Sequence, residues 1–129
     1  MTQSVITKKI WDNCQNQAFQ LVLWPKPARP NGTLVVIHHG LGEHASRFEE
    51  VGVLLTQQGF EVRSYDCRGH GQSMGKRGDA PGLDGLVSDF EEILPALIET
   101  TSCERVVVMG HSMGGAVIGR YLTARLVHS

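Results

Sequence analysis

The stretch Gly110-His111-Ser112-Met113-Gly114 constrains the fold of this chain more than any other. A β-rich run, Arg105 to Met109, enters it, and a helical pattern leaves it from Met113 onward. Strand, sharp turn and helix in that order are the setting that a Gly-x-Ser-x-Gly nucleophile elbow requires. Gly110 and Gly114 flank Ser112 where side chains would collide in so tight a turn. Ser112 itself is expected to take a strained backbone conformation that lifts its hydroxyl above the strand ends.

A serine nucleophile of this kind needs a histidine to take its proton and an acid to orient that histidine, in the chain order Ser, acid, His. Beyond Ser112 the sequence has no Asp or Glu, and its one histidine is His128. If the helix runs on, His128 lies about 24 Å along its axis at ~1.5 Å per residue. A nucleophile and its base must lie within about 3 Å of each other. His128 is therefore not the expected base, and the expectation is of a chain that holds the nucleophile without its activators.

With 129 residues, 41% of them hydrophobic and 19% charged, the sequence suits one globular domain with a real core. A net charge of −1 gives no electrostatic case for a nucleic-acid partner. No apolar run approaches the ~18 residues of a membrane span, and the first residues carry no apolar signal core, so a cytoplasmic setting is expected. Cys14, Cys67 and Cys103 are odd in number and widely spaced, which fits reduced thiols better than disulfides or a zinc site.

Strands are expected at Val5–Ile10 and Phe19–Trp24, then at Leu34–His38, whose continuous apolar run marks a strand buried on both faces. Ser46 and Glu49 have capping-box spacing, opening a helix whose inner side would be Phe48, Val51, Leu54 and Leu55, with a stop at Gly59. Phe60–Tyr65 is the next strand. A helix follows from about Asp84 to Thr100, with Pro95 expected to kink or split it. Strand 105–109 and a helix from Met113 to about Val127 complete an α/β class with a mostly parallel sheet and flanking helices.

The loop after strand 34–38 reads His38-His39-Gly40-Leu41-Gly42-Glu43-His44. At the C-terminal end of a parallel strand it faces the functional edge of the sheet. Gly40 and Gly42 let the backbone come close to a ligand. An oxyanion hole takes one N–H from such a loop and one from the residue after the nucleophile, here Leu41 and Met113. Met113 also opens a helix, whose N-terminal partial charge favours an oxyanion. His39, Glu43 and His44 lack the spacing of a helical zinc site, so no metal is expected. Asp66, Arg68 and His70 precede the nucleophile and read as a buried polar network. His111 is expected to point away from the hydroxyl of its neighbour.

Three motifs in this order, His39-Gly40-Leu41-Gly42-Glu43-His44 with Arg47-Phe48, Asp66-Cys67-Arg68-Gly69-His70-Gly71-Gln72-Ser73 with Gly78, and Gly110 to Gly115, resemble the monoacylglycerol lipase and lysophospholipase branch of the α/β-hydrolases, a serine aminopeptidase-type family. The resemblance covers nearly all of this chain and about the first half of a family member. It implies an α/β-hydrolase fold ending after the elbow helix, so that 1–129 would be the N-terminal part of a single domain. It also implies Ser112 as nucleophile, Leu41 and Met113 as oxyanion donors, small lipid or other carboxylic esters as substrates, and no cofactor. The family's later strands, its lid and its catalytic Asp and His have no counterpart here. The rival expectation is a non-catalytic product that at most binds lipid or a partner. In the family's strand order, 105–109 pairs with 34–38 on one side only in this chain, leaving an apolar edge that invites self-association. Peripheral contact with a membrane stays open.

Overall fold

The computed structural model describes residues 5–13, 17–70, 73 and 82–128, the last four for their backbone only. Its elements are β1 Thr7–Asp12, β2 Ala18–Leu23, β3 Thr33–His38, a 3-10 turn Ala45–Phe48, α1 Glu49–Gln57, β4 Glu61–Tyr65, α2 Leu83–Glu99, β5 Arg105–Gly110 and α3 Met113–His128. Cys14 lies outside the described residues, as do Gly71, Gln72 and Gly78 of the second motif.

The five strands form one sheet in the order β1-β2-β4-β3-β5. β4, β3 and β5 run parallel, whereas β1 pairs antiparallel with β2, and β2 with β4. The sheet is thus mixed, with β2 alone running against the other four strands. The turn-rich stretch from Pro25 to Gly32 leads from the end of β2 to the start of β3 without a crossover helix, so β2 runs against β3 and hence against β4, the parallel neighbour of β3.

β3 is buried along its whole length, as its apolar run requires. Phe19, Leu21, Leu34, Val36 and Tyr65 project from one face against α2 and α3, with Phe90, Ile93, Leu97, Val117 and Tyr121 completing that core. Val22, Val35, Ile37 and Val62 project from the other face against Trp24 and α1. Two-residue alternation along the strands therefore sorts one sheet into two apolar layers.

α1 departs from its expected form in two ways. No capping box forms: Ser46 sits inside the 3-10 turn, and neither that turn nor α1 has a side-chain cap. The Ala45 N–H donates instead to Asp66 Oδ1 at 2.8 Å, so a tertiary partner takes the place of the cap. The buried side is also different. Val51 and Leu54 are exposed, while Phe48, Gly52, Val53 and Leu55 face inward. Gly52 decides this, because a Cβ there would come within 2.1 Å of the Trp24 ring. The absence of a side chain is what turns that face toward the sheet.

Pro95 does not split α2, which is continuous from Leu83 to Glu99. At the far end of that helix the buried Arg63 guanidinium binds Thr100 Oγ1, the Thr100 carbonyl, the Trp24 carbonyl and Glu61. These bonds fix the helix end to β4. Among the described residues, no helix is long and apolar enough to cross a membrane.

Candidate active site

β5 ends at Gly110 and α3 begins at Met113, so two residues make the reversal. Ser112 occupies the left-handed region at φ 56°, the one described non-glycine residue with a positive φ. The turn is closed by Gly114 N–H to the His111 carbonyl and Gly115 N–H to the Ser112 carbonyl, each at 2.9 Å. A Cβ on Gly110 would sit 2.5 Å from the backbone of Gly114 and Gly115. One on Gly114 would sit 2.2 Å from the His38 carbonyl oxygen, at the end of β3. Both glycines are thus required by backbone that cannot move aside.

The β3 loop closes on this turn. A Cβ on Gly40 would lie 3.2 Å from the Ser112 Cβ and 3.0 Å from the His111 carbonyl oxygen, so the loop passes directly beside the serine. Gly42 has φ 78° and open space around it, which makes backbone conformation the reason for glycine there. Leu41 is exposed between them. Among the described residues, the hydrogen bonds of the two turns are donated by Gly40, Glu43, His111, Gly114, Gly115 and Ala116, with neither Leu41 nor Met113 among those donors.

Glu43 ties the two segments together, a link that local sequence spacing does not reveal. Its Oε1 accepts the Gly40 N–H at 2.8 Å and lies 2.9 Å from His111 Nδ1, 68 residues away in the chain. Its Oε2 pairs with Arg47 Nε at 3.1 Å. The contact with His111, then the Gly40 N–H, hold the Glu43 carboxyl below its ordinary range. His111 remains at the surface, edge-on to Phe48 and committed to Glu43.

Beneath the loop lies a buried polar layer. His38 Nδ1 bonds the His39 carbonyl, and its Nε2 meets the Tyr65 hydroxyl, both at 2.9 Å. Burial lowers His38 to about 4 and holds His39 down as well. The same burial pushes the Cys67 thiol up to about 12, so it is not a thiolate nucleophile. Asp66 accepts from Gln20 as well as Ala45, Arg68 forks onto Asp89, and His70 Nδ1 bonds the Arg68 carbonyl. The Asp66-to-His70 motif is here a floor beneath the loop. His128, by contrast, ends α3, the helix that starts beside Ser112.

The sequence profile of the family described as serine aminopeptidase, S33 (Hydrolase_4), matches residues 29–127, from the end of the β2–β3 connection through α3. The chain belongs to that family. It is similar to a monoacylglycerol lipase of Mycolicibacterium smegmatis, with 35% identity over 99 residues, covering 77% of this chain and 35% of that protein. Human monoglyceride lipase shares 35% identity over 92 residues, covering 69% of this chain and 30% of its own length. The chain thus spans about a third of these curated relatives. Among solved structures, a carboxyl esterase from Bacillus coagulans superposes with a TM-score of 0.75 at 22% identity over 92% of this chain and 40% of its own. A lipase in its open form gives 0.76 at 24% identity, with 92% and 40% covered. These likenesses establish the α/β-hydrolase fold.

Proposed function

We propose that this chain carries the nucleophile and oxyanion portion of a serine ester hydrolase of the monoacylglycerol lipase or lysophospholipase type, as the N-terminal part of a single α/β-hydrolase domain. The observation that carries this reading is Ser112 at φ 56° in a strand-to-helix turn with the Gly40–Gly42 loop packed against it. In the reaction, the Ser112 oxygen bonds to an ester carbonyl carbon while the Leu41 and Met113 N–H groups hold the oxyanion. The hydroxyl proton passes to a histidine and then to the departing alcohol as the ester C–O bond breaks. Water releases the acyl group from Ser112 by the same route.

That histidine and its acid are assigned to polypeptide outside these 129 residues. His111 is held by Glu43, and His39 Nε2 is occupied by the Cys67 N–H at 2.9 Å. The same observation favours a second reading, in which the chain binds a lipid or protein partner without turnover. The names of the relatives support monoacylglycerols as the substrate class. Free thiols at Cys67 and Cys103 support a cytoplasmic setting, with contact at a lipid surface and association through the β5 edge as further parts of the reading.

A fluorophosphonate probe tests it. Residues 1–129 should label slowly at Ser112 and not at all as Ser112→Ala, with little or no esterase turnover. Supplying the rest of a family member's fold, in trans or as an extension, should raise the rate by several orders of magnitude, since triad members act as a unit. Labelling that stays slow in the extended protein would support the non-catalytic reading. Rapid labelling of 1–129 alone would mean that one of its own histidines acts as base.

A further inference from the structure

The peptide joining Gly40 to Leu41 is a rigid trans plane, so its C=O and N–H point in opposite directions. Its carbonyl oxygen is doubly held. His39 Nδ1 lies 2.7 Å away and the Glu43 N–H donates to it at 3.1 Å. On the other edge of the His39 ring, Nε2 accepts the Cys67 N–H at 2.9 Å. An amide N–H only donates, so Nε2 bears no proton. The single ring proton of the neutral imidazole is on Nδ1, where it donates to Gly40. Upstream, the Gly40 N–H is fixed by Glu43 Oε1.

His39 is completely buried, whereas Leu41 and Ser112 are exposed. The Gly40 carbonyl is therefore drawn inward, and the N–H of the same plane points the opposite way, out of that buried layer. We propose that His39 is a positioning residue, bolting the loop to Cys67 and thereby aiming the Leu41 N–H at the carbonyl oxygen of a substrate on Ser112. This rests on the reading of Leu41 as an oxyanion donor. Donation into the Gly40 carbonyl also polarises the peptide and strengthens the N–H on its far side. Burial keeps the imidazole neutral, the form the bridge requires.

Two substitutions separate the halves of the bridge. His39→Asn places an amide NH2 near the Nδ1 position and keeps a donor for Gly40. His39→Gln places an amide oxygen near the Nε2 position and keeps the acceptor for Cys67. In 15N NMR of the whole chain, wild-type His39 should carry its proton on Nδ1. The Leu41 amide nitrogen senses hydrogen bonding at its own peptide carbonyl, so its shift should stay near wild type in His39→Asn and move in His39→Gln. Fluorophosphonate labelling of Ser112 should fall at least about tenfold in His39→Gln and less than about threefold in His39→Asn, since one misaimed oxyanion donor costs about 10²–10³ in acyl transfer. His39→Asn leaves the buried Cys67 N–H unpaired and should be the less stable variant, so rate and stability separate. A wild-type proton on Nε2, or labelling rates that follow stability, overturns the proposal. A Leu41 shift that behaves as stated, with no Ser112 labelling in any form of the protein, leaves the positioning intact and overturns the hydrolase reading.

Discussion

Ser112 holds a left-handed conformation that costs a non-glycine residue about 1–3 kcal/mol. The neighbouring glycines make that conformation stable, and they are not equivalent. A methyl group on Gly114 would meet the His38 and His39 carbonyl oxygens at 2.2 and 2.8 Å, whereas one on Gly115 finds nothing closer than 3.6 Å. Gly114→Ala should therefore destabilise by about 3 kcal/mol or more, the upper range for an overpacked site. Gly115→Ala, in the first turn of α3, should be neutral or stabilising by up to about 1 kcal/mol. Urea unfolding midpoints of the two variants check this, and equal midpoints would contradict the packing of the turn against β3. The elbow was legible in the sequence because its chemistry is local: five consecutive residues state it. His39 and Glu43 were not, because their roles come from partners 28 and 68 residues distant, Cys67 and His111.

β5 is the most exposed strand of the parallel set, with Val106, Val107 and Met109 all more than 40% accessible. The N–H of Arg105 donates to Gly32 and that of His111 to His38, so odd-numbered residues face β3. By the alternation of a parallel ladder, the N–H and C=O of Val106, Val108 and Gly110 face outward. An apolar strand with an open ladder is a template for pairing. Sedimentation velocity should show concentration-dependent association of the wild-type chain. Val107→Lys, on the outer edge of the α1 face, should shift it toward monomer, and a wild-type monomer across the micromolar range would refute the edge as an adhesive surface. The β strands and α2 were readable because their apolar periodicity reports burial directly. The inner face of α1 was not, since counting apolar residues gives no weight to Gly52, whose missing side chain admits Trp24. Antiparallel pairing of β2 was also hidden, because alternation within a strand carries no information on its direction.

Two adjacent histidines, His38 and His39, lie fully buried where the sheet meets the candidate site, and this couples the stability of the molecule to pH. An unfolded histidine titrates near 6.5, whereas burial lowers His38 to about 4 in the folded protein. Between those values the unfolded chain binds a proton that the native one refuses, so unfolding free energy falls as pH falls. The contribution is fully present above pH 6.5 and is lost progressively down to about pH 4. At about 1.4 kcal/mol per pKa unit, His38 accounts for about 3 kcal/mol, and His39 acts in the same direction. Glu43 is also held below its ordinary range, but as a carboxyl it gives up its share of stability at still lower pH. Comparing pH 7 with pH 5 therefore isolates the histidines. His38 alone should cost the wild type about 2 kcal/mol over that interval by urea unfolding, and His39 should add to it, a cost set by the protons the unfolded chain takes up. His38→Asn keeps a donor for the His39 carbonyl but has nothing to titrate. It should be less stable at pH 7, where the Tyr65 hydroxyl loses its acceptor, yet flatter toward pH 5. A variant profile as steep as that of the wild type would move the acid sensitivity away from His38.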